Sequence, residues 1–344
     1  MFTWTELRLF LVIACLVLIP GWALIAVTGL WRRWPTLIRW IVAAGVGIAF
    51  YPVLFYFSRL VLPDFHLGLN KLGLLLAFFL VITVWRLRSN MKDQLSFSNS
   101  EWIGIGIFGA ILFTRVWIAH LRPLPAWSDS LHHTLLTQLT AENGLLPYTL
   151  DPYESVSLAM YHLGLYSLTG SLEIFTQLPA YTALLWMVQV LNGLCGLGIY
   201  LVLDTRVGRK AALVGSLVAG LLSFQPSWYV NWGRDTQIAS QSILLIAWWI
   251  TWEAMRAWAK PVKTPRLELL GWTLAAALMT AGLFLLHFRV AGFYLPLLAF
   301  SAIWELVQGY RQKHFKATLL GIAIVGIISV LFVLPALIGA LNVY

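Results

Sequence analysis

Residues 266–316 read RLELLGWTLAAALMTAGLFLLHFRVAGFYLPLLAFSAIWELVQGYRQKHFK. Two apolar runs, 268–286 and 291–307, are joined by His287-Phe288-Arg289. Each run approaches the roughly 20 residues that carry a helix across a bilayer. Arg266 stands at one far end, and Arg311, Lys313 and Lys316 at the other. Cytoplasmic connections collect Lys and Arg, so both far ends belong on one side. The stretch reads as a membrane helical hairpin.

The same pattern extends through the chain. Further apolar runs lie at about 9–29, 40–58, 72–85, 102–120, 179–203, 211–225, 237–255 and 318–341, which makes ten expected crossings. Arg32, Arg33 and Arg39 follow the first run, and Arg86, Arg88 and Lys92 the third. Arg206, Arg209 and Lys210 follow the fifth, and Arg256, Lys260, Lys263 and Arg266 the seventh. With the turn after the ninth run, these alternate connections hold sixteen of the 23 bases. The expected fold is an all-α polytopic transmembrane bundle with its N-terminus outside. A crossing at 156–170 would break the alternation, so that piece is expected to be re-entrant or interfacial.

Composition agrees. The 344 residues are 60% hydrophobic and 11% charged, with a mean hydropathy of +0.80. A soluble domain carries about 25% charged residues. The net charge of +9 is explained by helix-end bases, so no nucleic-acid partner is expected. Cys15 and Cys195 lie inside apolar runs and imply no disulfide framework. The N-terminal run lacks a small-residue cleavage site and reads as a retained helix. The polar stretch 86–101 suggests N-terminal helices over 1–100 and a core over 101–344. No soluble tail is expected beyond the last run.

The polar residues collect in three places assigned to the outer side. The longest connection is 121–157. Within it, 129–143 is expected to be an interfacial amphipathic helix with Leu131, Leu135, Leu136 and Leu139 on its apolar side and Gly144 as its stop. Asp129 opens that helix, either as a first-turn acid or as a reactive carboxylate beside His132 and His133. Arg234 and Asp235 follow an aromatic belt of Trp228, Tyr229 and Trp232. His287 and Arg289 stand in the short hairpin link, where ionisable groups are costly and suggest function. An Arg/His set matches a phosphate, and a carboxylate beside it can serve as a base. No metal site is expected, although His132 and His133 could contribute to a divalent one. Gly104, Gly106 and Gly109 fit G-x-G-x-x-G but lie inside a crossing, so they read as helix-packing glycines.

The segments AWSDSLHHTLLTQLTAENGLLP, YHLGLYSLTG, NWGRDTQ and HFRVAGFY are similar to the GT-C superfamily of polytopic glycosyltransferases. The resemblance covers about 115–300. It implies transfer of a sugar from a polyprenyl-phosphate-linked donor to a glycan, lipid or protein acceptor on the outer face of a bacterial inner membrane. By that resemblance Asp129 is the catalytic base, and Arg234, His287 and Arg289 bind the lipid phosphate. His132, His133, Asp235, Tyr161 and His162 are further substrate-side residues. The chain departs from the pattern in having four crossings ahead of the loop. The readings that compete are a transporter or lipid flippase, and a membrane subunit without a site.

Overall fold

The computed structural model describes residues 2–88, 95–259 and 264–341, with side chains described to Ile338. Lys92, Lys260, Lys263 and Tyr344 lie outside the described residues. Among the described residues, twelve α-helices carry the fold: α1 (Trp4–Thr28), α2 (Thr36–Val61), α3 (Leu69–Leu87), α4 (Asn99–Leu121), α5 (Asp129–Asn143), α6 (Gly164–Thr176), α7 (Ala180–Arg206), α8 (Arg209–Leu217), α9 (Asp235–Ala259), α10 (Arg266–Leu286), α11 (Ala291–Arg311) and α12 (Phe315–Leu341). One short hairpin, β1 (Thr149–Leu150) with β2 (Glu154–Ser157), pairs antiparallel in the 121–157 connection.

Among the described residues, nine stretches are long and apolar enough to cross a membrane. The chain is a multi-pass helical membrane protein. The tenth expected run, 237–255, falls on α9, which is not among the nine. Its position explains its polarity. It packs against α7, α10, α11 and α12, so its hydroxyls meet protein instead of lipid. Ser240 Oγ donates to Leu283 O at 2.9 Å, Thr251 pairs with the Tyr294 hydroxyl at 2.8 Å, and Trp252 Nε1 donates to Glu305 at 2.7 Å.

The alternation of basic connections reappears as contacts that define two ends. At the base-rich end Arg33 pairs with Glu268 at 2.5 Å, Arg206 with Glu253 at 2.7 Å, and Glu101 accepts from Leu37 N at 2.8 Å. At the base-poor end Glu6 meets His120 at 2.7 Å, and Tyr148 donates to Arg59 O at 3.0 Å. In each of these pairs the two residues were expected at the same end of the bundle.

The core is continuous from Leu9 on α1 to Val333 on α12. α2 is mostly buried and touches α6, α9, α10 and α12, so the two expected parts, 1–100 and 101–344, share one interior. α1 and α2 cross where only hydrogen fits. A Cβ on Gly21 would lie 1.8 Å from Ala43 O, and one on Gly47 1.8 Å from Val17 O. This is the small-residue contact by which membrane helices gain packing without a hydrophobic drive. Of the three glycines in the G-x-G-x-x-G match, Gly104 packs on Leu37 and Tyr200, whereas Gly106 and Gly109 face open space.

α6 has 13 residues, about 20 Å at 1.5 Å each, too short to cross. It lies inside the bundle against α1, α2, α5 and α7. α5 differs from its expected form. Leu136 and Leu139 are buried, but Leu131 is exposed. The buried face is completed by Ser130, His133, Thr137 and Thr140, because α5 docks on α6 through hydrogen bonds such as Thr137–Thr169 at 2.8 Å. Leu136 and Leu139 serve that packing. Gly144 does end the helix in the left-handed conformation, at φ 61°. Trp34, Trp249 and Trp272 are internal and form a buried cluster with ring centroids 5.5–6.0 Å apart.

Candidate functional site

The site at the base-poor end is built from four pieces: the start of α5, the 161–163 turn before α6, the 227–235 turn into α9, and the link between α10 and α11. Asp129 is the first residue of α5, but Ser128 at the N-cap makes no side-chain capping bond. Gly233, at φ 61°, lets the 227–232 turn close onto the start of α5. A Cβ there would meet Asp129 Cβ at 3.1 Å and Trp127 Cβ at 3.2 Å. That closure brings Arg234 to 3.9 Å from Asp129, with both side chains about half-exposed.

His133 locks the arrangement. Its Nδ1 lies 2.6 Å from the Tyr166 hydroxyl, and its Nε2 lies 3.0 Å from Gly233 O. A carbonyl only accepts, so Nε2 carries the proton and Nδ1 accepts from Tyr166. Tyr161 stands close to the Tyr166 hydroxyl. A hydroxyl–imidazole–carbonyl chain thus runs from Tyr166 to the base of the Asp129–Arg234 pair. Burial pushes the His133 imidazole down to about 4, so it is neutral near pH 7.

His162 and His287 meet on the other flank. Their ring centroids are 4.2 Å apart, and Tyr161 stacks on His162 at 4.4 Å. His162 Nε2 lies 3.0 Å from the Thr236 hydroxyl. The Nδ1 atoms of both histidines are buried without a hydrogen-bond partner among the described residues. Burial first, then neighbouring His287, His133 and Arg289, pushes His162 down to about 3. Burial and then Arg289 push His287 down to about 4. Arg289 is exposed and makes no ion pair among the described residues. Tyr56 fixes the intervening turn by accepting from Leu163 N at 3.0 Å and donating to Tyr161 O at 3.3 Å.

Asp235 precedes the apolar run 237–255 and is buried. Ser130 Oγ donates to it at 3.3 Å. Burial, with Asp129 nearby, pushes its carboxyl up to about 7. It is therefore a poor anion and packs beneath Asp129 instead of facing solvent. A cavity of about 170 Å³ opens beside Tyr161 and His162, closed by Tyr56, Leu285, Phe288 and Leu337. Its lining is nearly all apolar, which suits hydrocarbon next to a polar cluster.

Of the expected residues, Asp129, Arg234, Asp235, His133, Tyr161, His162, His287 and Arg289 come together at one end. His132 does not join them, because it projects from the exposed side of α5 while His133 is buried. Among the described residues, no group of three His, Cys, Asp or Glu could hold a metal ion. Tyr166, Thr236, Ser130, Gly233 and Tyr56 were not singled out in the sequence. Isolated hydroxyls and a lone glycine carry no motif, and only the fold reveals their bonds. Compared with family models, curated proteins and solved structures, the chain matches none.

Proposed function

We propose that the chain is a membrane glycosyltransferase that moves a sugar from a polyprenyl-phosphate donor to an acceptor on the extracytoplasmic face. The observation that carries this reading is the half-exposed Asp129–Arg234 pair with the unpaired Arg289 on the same end. A carboxylate and two guanidiniums are what an acceptor hydroxyl and a lipid phosphate require. The Asp129 carboxylate takes the acceptor proton as its oxygen attacks the anomeric carbon. The bond from that carbon to the phosphate oxygen breaks, and the lipid phosphate leaves with the electron pair. Arg234 and Arg289 stabilise the charge that develops there. The neutral histidines add hydrogen-bonding capacity without further positive charge. The apolar cavity beside His162 suits the first part of the lipid chain.

A transporter would hold its charged groups near the membrane midplane, between repeated halves. The Asp129–Arg234 pair and Arg289 lie at one end instead, which favours the enzyme. The test is Asp129→Asn in purified protein supplied with labelled lipid-linked sugar. Transfer is expected to fall by on the order of 100-fold or more. Full transfer by the variant would remove Asp129 from the mechanism.

A further inference from the structure

A second polar chamber lies away from the Asp129 cluster, at membrane depth. The chain after α8 does not continue as a regular helix. A π-helical turn (Val218–Leu222) gives way to extended backbone at Ser223, and a 3₁₀ turn (Ser227–Trp232) completes the passage. Irregular backbone at this depth is tolerated only against protein or a cavity. Here it borders a cavity of about 300 Å³, the lower end of the ligand-pocket range.

Arg115 of α4 and Gln189 and Asn192 of α7 line that cavity. Arg115 stands six residues before the end of α4, about 9 Å below it. It donates to Gly220 O at 2.7 Å, and Asn192 Nδ2 donates to Ser227 O at 3.4 Å. Those bonds satisfy carbonyls that the broken helix frees. They do not exhaust the site. Gln189 Oε1, Asn192 Oδ1 and Arg115 Nε are all buried and have no hydrogen-bond partner among the described residues. Gln189 and Asn192 are 4% and 5% exposed, so their oxygens have no bulk water to fall back on. No carboxylate pairs with Arg115 among the described residues. Beside the chamber, sharing Gln189, Val230 and Asn231 with it, a slot of about 10 Å³ reaches Asp235, at or below the size of one water.

We propose that this chamber binds a lipid headgroup that combines one phosphate with free hydroxyls. The phosphate meets Arg115, whose charge is otherwise uncompensated. The hydroxyls donate to Gln189 Oε1 and Asn192 Oδ1, which lack donors. Trp228, stacked on Phe224 at 4.3 Å, forms an aromatic wall. The rim residues Leu222 and Phe224 are 73% and 59% exposed and apolar, so entry is from the bilayer. This binding is independent of glycosyl transfer at Asp129.

The experiment uses the whole protein in phosphatidylcholine nanodiscs doped with diazirine-labelled phosphatidylglycerol, phosphatidic acid or phosphatidylcholine. Phosphatidylglycerol is expected to cross-link residues 111–118 and 221–228 on the order of tenfold more than phosphatidylcholine. Phosphatidic acid, with phosphate but no hydroxyl, is expected to fall between. Arg115→Leu should abolish the preference for both anionic lipids. Gln189→Leu with Asn192→Leu should make phosphatidylglycerol and phosphatidic acid equal. Competition by soluble glycerol 3-phosphate would support the same chemistry with a free headgroup as the source, and its failure to compete would assign the site to lipid. Equal labelling by all three lipids in the wild-type protein would overturn the proposal, and no variant is needed to see it.

Discussion

His133 Nε2 and the carbonyl oxygen of Gly233 lie 3.0 Å apart, and this bond joins α5 to the turn that presents Arg234. The same ring accepts from Tyr166, so one side chain sets the spacing of three elements. The Asp129–Arg234 pair inherits its geometry from this buried link.

His133→Ala should therefore do two kinds of damage. It leaves the Tyr166 hydroxyl and Gly233 carbonyl buried without partners, at a cost of roughly 2–4 kcal/mol. Thermal unfolding in detergent should shift down by several degrees. Transfer activity should fall with it, and binding of lipid phosphate should weaken because Arg234 is released. Unchanged melting would mean that the bond contributes nothing to the fold.

Acid should destabilise the protein through its buried histidines. The ordinary histidine value is about 6.5, and His133, His162 and His287 are held at about 4, 3 and 4. The unfolded chain binds protons first, so the stability contributed by neutral burial is complete above about 6.5 and is lost as pH falls toward 4. For His133 alone the loss is about 3 kcal/mol at most. Melting temperature measured from pH 7 to pH 4.5 should drop steadily, and a flat profile would contradict the burial argument.

Asp235 should act in the opposite sense. Its carboxyl is raised to about 7, so the folded state holds a proton that the unfolded state releases. Its burial costs increasing stability as pH rises from the ordinary carboxylate range through 7. Asp235→Asn keeps an acceptor for Ser130 and removes that cost. The variant should melt at a higher temperature than the wild type at pH 8 and at a similar one at pH 4. A lower melting temperature at pH 8 would show that the charge is used in the fold.

Arg234→Ala and Arg289→Ala should separate two roles. Arg234 shares its charge with Asp129, whereas Arg289 makes no ion pair among the described residues. Loss of Arg289 should raise KM for the lipid-linked donor more than it lowers kcat. Loss of Arg234 should lower both, since Asp129 loses its partner. Steady-state kinetics over donor concentration reads the split; identical profiles for the two variants would place both arginines in one role.

Gly47→Ala should disrupt the α1–α2 crossing. The new Cβ would overlap Val17 O, and the neighbour is backbone that cannot rotate away. Overpacking of this kind costs about 1–3 kcal/mol. Gly73→Ala on α3 meets nothing within 4 Å and serves as the control. It should be neutral or slightly stabilising, because Ala favours a helix over Gly.

The membrane architecture was legible because hydrophobic length and charge asymmetry are local properties. Arg266 and Arg311 placed the α10–α11 hairpin before any contact was known, and Arg33–Glu268 is the contact that follows. The site was legible only as a list of costly residues at one end. Which of them are paired, neutral or exposed was not. His132 and His133 are adjacent in sequence, yet one is exposed and the other buried, since α5 turns its polar side toward α6. Tyr166 and Thr236 were invisible because a hydroxyl gains meaning only from what it touches. Arg115 is a single base inside the apolar run 102–120, and its link to Gln189 and Asn192 depends on how α4 packs against α7.

The central position of α9 bears on how the chain enters a membrane. Its polar groups find partners on α10 and α11, at Leu283, Tyr294, Ser301 and Glu305. All of these are synthesised after it. A nascent chain that has reached Ala259 thus presents lipid with a segment whose hydroxyls and indole nitrogens are still unmet. Stable integration of α9 must wait for the following hairpin, so the last quarter of the sequence acts as the assembly partner of the helix whose first residue, Asp235, sits in the site.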